Sequence, residues 1–366
     1  MNKKLWVVVL TGAILMTSMV AVLAESPSWG EEAGAVYTMT NNAASNEVVI
    51  FTRDEDGVLT KAGSVATGGT GFGSALDALG SQGSLALSQD NRWLLAVNAG
   101  SNEISVFMVS PDGLELADKV GSGGALPVSV TVFHDLVYVL NAGTSPNITG
   151  FYLSYRGELV PLKDSTRSLG PGGFAQVGFD PFGQTLVVTD KADNRILVFS
   201  LDDEGLPSMN PVTSMSHGST PFGFIFDQRG HLLVVEAGSD AVSSYNILHN
   251  DTLQVISPSV ANGQKAACWI AGSERGYVFT ANPGSGTVSS YKLQGKNGSL
   301  ILLNGAAGSG NTPLDVATTA DSRFLYALDP SAGGVDMFQI QPDGSLTNLG
   351  SAAGSLSIFA QGIAAR

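Results

Sequence analysis

Two carboxylates in the middle of the chain are the side chains best suited to acid–base chemistry. Asp190 and Glu236 each end an apolar run, and the two runs belong to consecutive units of similar length. Neighbouring carboxylates can push each other's pKa values apart, so that one serves as an acid and the other as a base. We therefore predict a catalytic role for this pair. The alternative is that both side chains cap the turns after their strands.

An imidazole and two cations accompany these carboxylates. His217 and Arg167 lie in the connections that lead into the units of Glu236 and Asp190, and Lys191 directly follows Asp190. Hydrolysis at a carbonyl carbon needs a base that activates water and a cation or donor for the developing oxyanion. Our hypothesis makes His217 the base and Arg167 or Lys191 the electrostatic partner. The alternative is that His217 is an ordinary exposed loop histidine.

Asp190 and Glu236 belong to a set of seven polar residues that end apolar runs. The steps between successive members are 57, 43, 49, 46, 46 and 47 residues. If the units fold alike, these side chains encircle one end of the molecule with a formal charge of −3 and could bind a polyol, a cation or a cationic ligand. The alternative is turn capping through the local backbone. The other members are Asn41 and the predicted ligand-binding residues Asn98, Asn141, Asn282 and Asp329, to which Lys191 is added.

The elements that must position these residues are short β-strands. Each unit contains an inner segment such as 222–226, a polar turn, the apolar strand with its terminal polar residue, an alternating strand such as 195–199 and a short outer strand. A period in the forties with several strands per unit is typical of a β-propeller with one four-stranded blade per repeat. The sequence therefore predicts an all-β, seven-bladed β-propeller over residues 35–366.

The two ends of this domain complement each other. The first repeat begins at its second strand, residues 35–40, with no inner strand before it. The last repeat carries a surplus segment, residues 358–365, that has the pattern of the missing inner strand. We predict that the C-terminal strand pairs with the first blade, because this closes the ring and removes two exposed sheet edges.

The longest of the six steps contains a glycine-rich insertion at residues 68–81. It lies between the outer strand of the first blade and the inner strand of the second, on the face that carries the seven polar residues. Phe72, Leu76 and Leu79 give the insertion apolar side chains that could cover the mouth of the ring as a lid. The alternative is a simple linker.

The N-terminal residues are predicted to be a targeting segment rather than part of the propeller. Two lysines precede an apolar stretch, residues 5–23, that ends in small residues. This pattern is typical of a secretory signal peptide, residues 1–24, cleaved after Ala24 and followed by a short linker, residues 25–34. We expect a secreted protein, extracellular or periplasmic. Because about 20 apolar residues also span a bilayer, an uncleaved membrane anchor is the alternative.

The charge and the cysteine content limit the partners. With 18 basic and 32 acidic residues, the formal net charge is −14. Such a surface repels phosphate backbones and anionic lipids, so we expect no nucleic acid, and a membrane contact only through an uncleaved N-terminus.

The single cysteine, Cys268, lies in an apolar run, and we expect a buried, inert thiol. No pair of histidines has metal-ligand spacing, and we predict a monomer without metal or cofactor.

Four segments of the repeats carry a family resemblance: SQGSLALS at residues 81–88, WLLAVNAG at 93–100, QVGFDPFG at 176–183 and NPGSGTV at 282–288. They resemble the seven-bladed lactonase family, which includes propeller-type 6-phosphogluconolactonases and fungal carboxymuconate cyclases. The resemblance extends over residues 35–366. It implies a lactone hydrolase, or a protein that binds a small polar or sugar-derived ligand, at the central pocket.

The family's working residues are His, Arg and Glu around the central pocket, from the starts of inner strands and from a position just after a second strand. In this chain, Phe, Ala and Gly occupy the corresponding places within residues 172–176 and 220–224, and Glu236 falls about one position before the expected Glu. The resemblance thus implies a lactonase-like secreted propeller. The alternative is a non-catalytic extracellular binding protein that uses the same face, or its blade rims, as a docking surface.

Overall fold

The computed structural model describes residues 34–366, which form twenty-nine β-strands. The strands are arranged in seven antiparallel sheets. The predicted signal peptide, residues 1–24, and linker residues 25–33 lie outside the described residues. Among the residues that the structure describes, no helix is long and apolar enough to cross a membrane.

Each sheet is one blade, numbered here from the N-terminus, and blade 1 is built from both ends of the described chain. Blade 1 contains β1 (Gly34–Met39), β2 (Glu47–Arg53), β3 (Leu59–Ala66) and, from the C-terminus, β29 (Gln361–Ala365). Blade 2 contains β4 (Leu85–Leu87), β5 (Trp93–Asn98), β6 (Glu103–Ser110) and β7 (Gly113–Gly121). Blade 3 contains β8 (Pro127–Phe133), β9 (Leu136–Asn141), β10 (Asn147–Leu153) and an outer strand in two pieces, β11 (Leu159–Pro161) and β12 (Arg167–Ser168).

The remaining four blades each follow the order inner, second, third and outer strand along the chain. Blade 4 contains β13 (Phe174–Phe179), β14 (Thr185–Asp190), β15 (Arg195–Ser200) and β16 (Val212–Met215). Blade 5 contains β17 (Pro221–Phe226), β18 (Leu232–Glu236), β19 (Ala241–Ile247) and β20 (Leu253–Ala261). Blade 6 contains β21 (Trp269–Gly272), β22 (Tyr277–Asn282), β23 (Thr287–Gln294) and β24 (Ser299–Ser309), and blade 7 contains β25 (Leu314–Thr318), β26 (Phe324–Asp329), β27 (Gly334–Ile340) and β28 (Leu346–Ala353).

The predicted ring closure is confirmed. Strand β29 pairs antiparallel with β1, with Val36 opposite Ala365 and Tyr37 opposite Ala364. The pairing continues at the last residue, because the backbone N–H of Arg366 donates to the carbonyl of Ala35 at 2.9 Å. The C-terminal strand therefore supplies the inner strand that the first repeat lacks.

The repeated apolar runs are the second strands of the blades, and their burial explains their composition. Every residue of β5, β9, β22 and β26 is buried, because each second strand is covered by the blades on both sides. In the outer strand β7, by contrast, every position is exposed or half-buried. A strand covered on both faces favours continuous apolar sequence, whereas a strand at the rim needs only one apolar face.

Neighbouring blades are joined where an aromatic side chain meets the glycine of a tight turn. The hydroxyl of Tyr277 in blade 6 donates to the carbonyl of Pro342 in blade 7 at 2.6 Å. Gly344 closes that turn with a φ of +85°, and a methyl group on it would lie 2.4 Å from the Tyr277 ring. Only glycine suits both requirements. The Pro-Asp-Gly turn thus shapes the surface against which the preceding blade packs.

The chain path brings one end of every blade to a common face. The second strands end there, the connections between blades cross there, and the inner strands begin there. We call this the collar face, defined by Asn41, Asn98, Asn141, Asp190, Glu236, Asn282 and Asp329, the seven polar residues at or next to the ends of the second strands.

Candidate functional site

The seven residues of the collar face are buried rather than open to solvent. The exposed fraction is 1% for Asn41 and 0% for the other six. Asn98 shows what such a side chain does: its Oδ1 accepts hydrogen bonds from Thr67 Oγ1 at 2.6 Å and Asn46 Nδ2 at 3.0 Å, and its Nδ2 donates to Ser105 Oγ at 2.8 Å. These bonds fasten the connection between blades 1 and 2. The Asn98 contacts are structural, but they go to side chains of blades 1 and 2 rather than to the backbone of the local turn. Ligand binding by Asn98, Asn141, Asn282 and Asp329 stays a prediction.

Asp190 is held by its own blade. Its Oδ1 accepts a hydrogen bond from the backbone N–H of Gly173 at 2.9 Å and a longer one from Ala192 at 3.2 Å. Its Oδ2 forms an ion pair with Arg195 Nη2 at 2.6 Å. The negative charge of Asp190 is therefore balanced by Arg195, and the carboxylate caps the turn that begins with Lys191.

Glu236 is enclosed by four donors and fastens the connection into blade 5. Its Oε1 accepts hydrogen bonds from Ser216 Oγ at 2.9 Å, the Gly218 N–H at 2.7 Å and the Tyr245 hydroxyl at 3.1 Å. Its Oε2 accepts one from Ser259 Oγ at 2.6 Å. Within residues 34–366, no hydrogen bond or ion pair joins Glu236 to the other predicted carboxylate, and its catalytic role stays a prediction.

Of the other two predicted catalytic residues, Arg167 lies apart from the Glu236 network, whereas His217 joins it through its backbone. The guanidinium of Arg167 is 8% exposed and donates to backbone carbonyls, among them Pro207 at 2.9 Å and Asp164 at 2.7 Å. His217 has an exposed side chain, and its backbone N–H donates to the Tyr245 hydroxyl at 2.9 Å. Arg167 thus links blade 3 to blade 4, and the base–cation pairing of His217 with Arg167 stays a prediction.

The insertion at residues 68–81 crosses the mouth of the ring and continues to the axis. Gln82, which follows it, makes two hydrogen bonds with the backbone of Ile270 in blade 6: Nε2 donates to the carbonyl at 2.7 Å, and Oε1 accepts from the N–H at 3.1 Å. The carbonyl of Ser81 accepts a hydrogen bond from Trp269 Nε1 at 2.9 Å. The segment therefore plugs the ring from the collar face.

The three apolar side chains of the insertion have different surroundings. Leu79 is buried, with 7% of its surface exposed, whereas Phe72 and Leu76 are 42% and 39% exposed. The first half is tied to blade 1, because the Phe72 N–H donates to Asn41 Oδ1 at 2.8 Å. The insertion covers the mouth as the lid interpretation requires, but mainly through backbone and polar contacts.

Asp77, in the same insertion, is held at the mouth by polar contacts. Its Oδ1 accepts hydrogen bonds from the Gly80 N–H at 3.1 Å and from Gln361 Nε2 at 3.0 Å. The amide of Gln361 also accepts from the Leu79 N–H at 2.9 Å. The closing strand of the ring thus positions Asp77.

Lys191 reaches the same place from blade 4. Its ammonium group donates to the carbonyl of Gly80 and lies 4.9 Å from the centre of the Phe222 ring. Asp77, Lys191 and Cys268 are each partly exposed. We call the space they share the Asp77–Lys191 crevice. Here a predicted site residue, Lys191, lies beside a partly exposed carboxylate, Asp77, for which no ion pair is seen within residues 34–366.

The ionisable groups of this crevice have shifted pKa values. Burial raises the pKa of Asp77 to about 6, against the opposing effects of the Gln361 hydrogen bond and the Lys191 charge. Burial lowers the pKa of Lys191, while Asp77 acts in the opposite direction. Behind them, burial raises the pKa of Asp315 to about 7. A carboxyl group with a pKa near neutrality is suited to general acid–base chemistry.

The thiol in the crevice is not suited to nucleophilic attack. Burial raises the pKa of Cys268 to about 12, and the charge of Asp77 acts in the same direction. The thiolate is the reactive form of cysteine, and it is scarce at such a pKa. Cys268 is half-buried rather than fully buried as the sequence predicts, and the inertness of its thiol stays a prediction.

Asp77 and Asp315 are the candidates that the sequence pattern did not indicate. Asp77 lies in an irregular insertion, and Asp315 is the second residue of an inner strand, so neither shares the periodic position of the collar residues. One signal was present: the insertion is the longest departure from the repeat, and functional residues often lie on such loops.

Comparison with known proteins agrees with the architecture. The family model described as "Lactonase, 7-bladed beta-propeller" matches residues 29–172 and 236–355. No curated protein gives a match. Between them, the matched ranges leave out residues 173–235, which include Lys191, all four strands of blade 4 and the inner strand of blade 5.

Several solved structures share the fold. A candidate 6-phosphogluconolactonase from Bacteroides uniformis has a TM-score of 0.69 and 19% identity, with 90% of this chain and 98% of that chain covered. The periplasmic gluconolactonase of Pseudomonas aeruginosa has a TM-score of 0.68 and 17% identity, covering 88% of this chain and 98% of that one. A protein from Lactobacillus plantarum has a TM-score of 0.73 and 16% identity, covering 92% and 99%. With its seven four-stranded blades and a family match over most of its length, the chain belongs to the seven-bladed β-propeller lactonase family.

Proposed function

We propose that the protein hydrolyses a sugar-derived lactone in the Asp77–Lys191 crevice. The observation that supports this most is a partly exposed carboxylate, with a pKa raised to about 6, beside an ammonium group on the collar face. A carboxylate of this kind is mostly ionised at neutral pH and is still basic enough to take a proton from water.

The proposed reaction needs only these two groups and water. Asp77 accepts a proton as the water oxygen bonds to the lactone carbonyl carbon, and Lys191 balances the negative charge that develops on the carbonyl oxygen. The ring C–O bond then breaks, and Asp77 returns the proton to the departing oxygen, which gives the open hydroxy acid. Asp190 acts as a positioning residue, because it caps the turn that contains Lys191.

We further propose that the substrate carries no phosphate. Among the described side chains, Lys191 is the basic group that acts on the pKa of Asp77, and its ammonium already donates to Gly80. A phosphate would add negative charge beside Asp77 and Asp315, on a chain with a formal charge of −14. Like charges at close range are unfavourable. A gluconolactone, the substrate in the name of the Pseudomonas aeruginosa neighbour, has no such group.

A pH-stat assay with the purified protein tests both parts. We expect acid release from gluconolactone above the spontaneous rate. For the 6-phosphorylated lactone we expect kcat/KM to be at least about tenfold lower, because about 1.4 kcal/mol of charge repulsion in the transition state lowers a rate constant tenfold. A preference for the phosphorylated lactone would contradict the charge argument alone. No release from any lactone by a folded protein, with binding detected by calorimetry, would support the non-catalytic alternative.

We also propose that the protein works outside the cytoplasm, extracellularly or in a periplasm. The support is the charged start, apolar stretch and small residues that precede Glu25. N-terminal sequencing of the protein recovered from its host should give Glu25 as the first residue. An N-terminus at Met1 in a membrane fraction would support the uncleaved anchor instead.

A further inference from the structure

Blade 7 contains two buried carboxyl groups in contact. Asp329 and Asp336 have exposed fractions of 0% and 4%. Asp329 Oδ2 accepts backbone hydrogen bonds from Asn311 at 2.5 Å and Thr312 at 3.0 Å. Asp336 Oδ1 accepts a hydrogen bond from the Ser351 hydroxyl, whereas Asp336 Oδ2 is buried and has no donor among residues 34–366. Asp336 Oδ2 and Asp329 Oδ2 both border Gly310, and the neighbouring Asp329 helps to raise the pKa of Asp336.

The backbone leaves little space around this contact. A methyl group on Gly310 would lie 2.3 Å from Asp336 Oδ2 and 3.1 Å from Asp329 Oδ2. Glycine is therefore the residue that lets the chain pass over the pair. A hydrated ion does not fit between groups enclosed in this way, whereas a proton does.

Blades 2 and 6 show what the same two positions do elsewhere in the ring. In blade 2, Asn98 Nδ2 donates to Ser105 Oγ at 2.8 Å, and Ser105 Oγ donates to the carbonyl of Thr67 at 2.7 Å. In blade 6, Asn282 Nδ2 donates to Ser289 Oγ at 2.8 Å, and Ser289 Oγ donates to a carbonyl of the outer strand at 2.6 Å.

The spacing of seven residues is the same in all three blades. Each pair links the end of a second strand to the third strand of the same blade, and in blades 2 and 6 every contact has a donor. In blade 7 both positions are carboxyl groups, Asp329 and Asp336. An asparagine–serine pair supplies its own hydrogens, whereas two ionised carboxylates supply none.

We propose that Asp329 and Asp336 share one proton, and that this proton takes the place of the asparagine–serine contact of blades 2 and 6. Asp329 accepts three backbone N–H groups, those of Asn311, Thr312 and Ala332, and is the anion of the pair. Asp336 carries the proton and donates from Oδ2 to Asp329. Loss of the proton leaves two buried negative charges in contact, which loosens the connection between blades 6 and 7.

The surroundings of Asp336 agree with this assignment. From β26 it faces Asp329, from β28 the Ser351 hydroxyl, and from the preceding connection the backbone of Gly310. Burial raises the pKa of Asp336 to about 6; the Ser351 hydrogen bond opposes this shift, and Asp329 adds to it.

The sign of the effect on stability follows from this shift. Because the pKa in the folded state lies above the unfolded value of 3.8, the folded protein holds the proton more tightly. The stabilisation is complete below pH 4 and is lost as the pH rises through about 6.

Urea unfolding at pH 4.5 and pH 7.5 tests the proposal, with wild type, Asp336→Asn and the exposed control Asp112→Asn. Asparagine supplies the missing donor without a titrating group. The quantity compared is the folding equilibrium constant of Asp336→Asn divided by that of wild type. We expect this ratio to be roughly tenfold to a hundredfold higher at pH 7.5 than at pH 4.5. The control should show no such difference. An equal effect of Asp336→Asn at both pH values would overturn the proposal.

Two further measurements cover other outcomes. If Asp336→Asn does not fold, the double variant Asp329→Asn with Asp336→Ser recreates the pair of blades 2 and 6 and should give the same loss of pH dependence. The second measurement is amide hydrogen exchange of Asn311 and Thr312, corrected for the intrinsic rate. In wild type, exchange at these two amides should become faster between pH 5 and pH 8, relative to the rest of the chain. In the variants it should not. Stabilisation of wild type by Ca²⁺ at pH 7.5, absent in Asp336→Asn, would show that a cation rather than a proton joins the pair.

Discussion

Asp77 and Lys191 influence each other across the mouth of the ring, although one lies in the insertion and the other in blade 4: each charge shifts the pKa of the other towards its ionised form. The contact depends on the insertion, because Gly80 receives the ammonium group of Lys191 and donates its N–H to Asp77. Burial opposes ionisation of both groups. Asp77 is therefore able to take up a proton near pH 6 beside a cation, which is the basis of the first two predictions.

The pH profile should report the ionisation of Asp77. We expect kcat/KM for lactone hydrolysis to rise with pH through an apparent pKa of about 6, because the ionised carboxylate is the base. The measurement is an initial-rate profile in a pH-stat between pH 5 and pH 8, corrected for spontaneous hydrolysis. A profile that is flat over this range would show that the base has another pKa, and hence that Asp77 is not the base.

The charge of Lys191 should matter more than its bulk. We expect Lys191→Met to lower kcat by about 10²–10³-fold, because the variant loses the cation that balances the oxyanion. Lys265→Met, an exposed lysine on the same face, is the matched control and should retain activity. Equal activity of the two variants would remove Lys191 from the mechanism.

Glu236→Gln should affect stability more than chemistry. The substitution replaces an acceptor of four hydrogen bonds by an amide whose NH₂ faces donors. We expect a loss of about 1–3 kcal/mol in the free energy of unfolding, with kcat of the folded fraction within about twofold of wild type. Urea unfolding and activity are compared with Glu204→Gln, an exposed control. A stable variant without activity would instead support the catalytic role that the sequence predicts for Glu236.

The axial plug should depend on the absence of a side chain at Gly223. A methyl group there would lie 2.0 Å from Gln82 Oε1 and 2.8 Å from the carbonyl of Cys268. We expect Gly223→Ala to lower the free energy of unfolding by about 1–3 kcal/mol through overpacking, and to lower activity by displacing the insertion. Gly63→Ala, where a methyl group meets no atom within 4 Å, is the control. Equal stability of the two variants would mean that the insertion is not held at the axis.

The fold could be predicted because repetition multiplies a weak local signal. One apolar run such as 186–190 could belong to many structures, but seven runs at similar spacing require stacked units that bury one another. The ring closure followed from the same logic, since one repeat lacked an inner strand and another had a surplus. Both are properties of the pattern, independent of any single side chain.

The chemistry of the collar face depends on contacts that the repeat does not encode. The spacing placed Glu236 at the end of a strand, but its partners are Ser216 and Gly218 in the irregular connection into blade 5 and Ser259 in the outer strand β20. The crevice likewise forms between an insertion and residues far away along the chain. Such long-range loop contacts leave no periodic trace, so the capping and ligand-binding interpretations could not be separated from sequence.

The most direct test of the account is lactone hydrolysis by Asp77→Asn, compared with wild type and Asp112→Asn in a pH-stat. Asparagine accepts the same hydrogen bonds and tolerates the left-handed backbone of this position, where φ is +51°, so the fold should be retained, as circular dichroism and urea unfolding would show. We predict that kcat falls by about 10²–10⁴-fold in Asp77→Asn and stays unchanged in the control. Wild-type activity in a folded Asp77→Asn protein would contradict the central claim and place the reaction elsewhere on the ring.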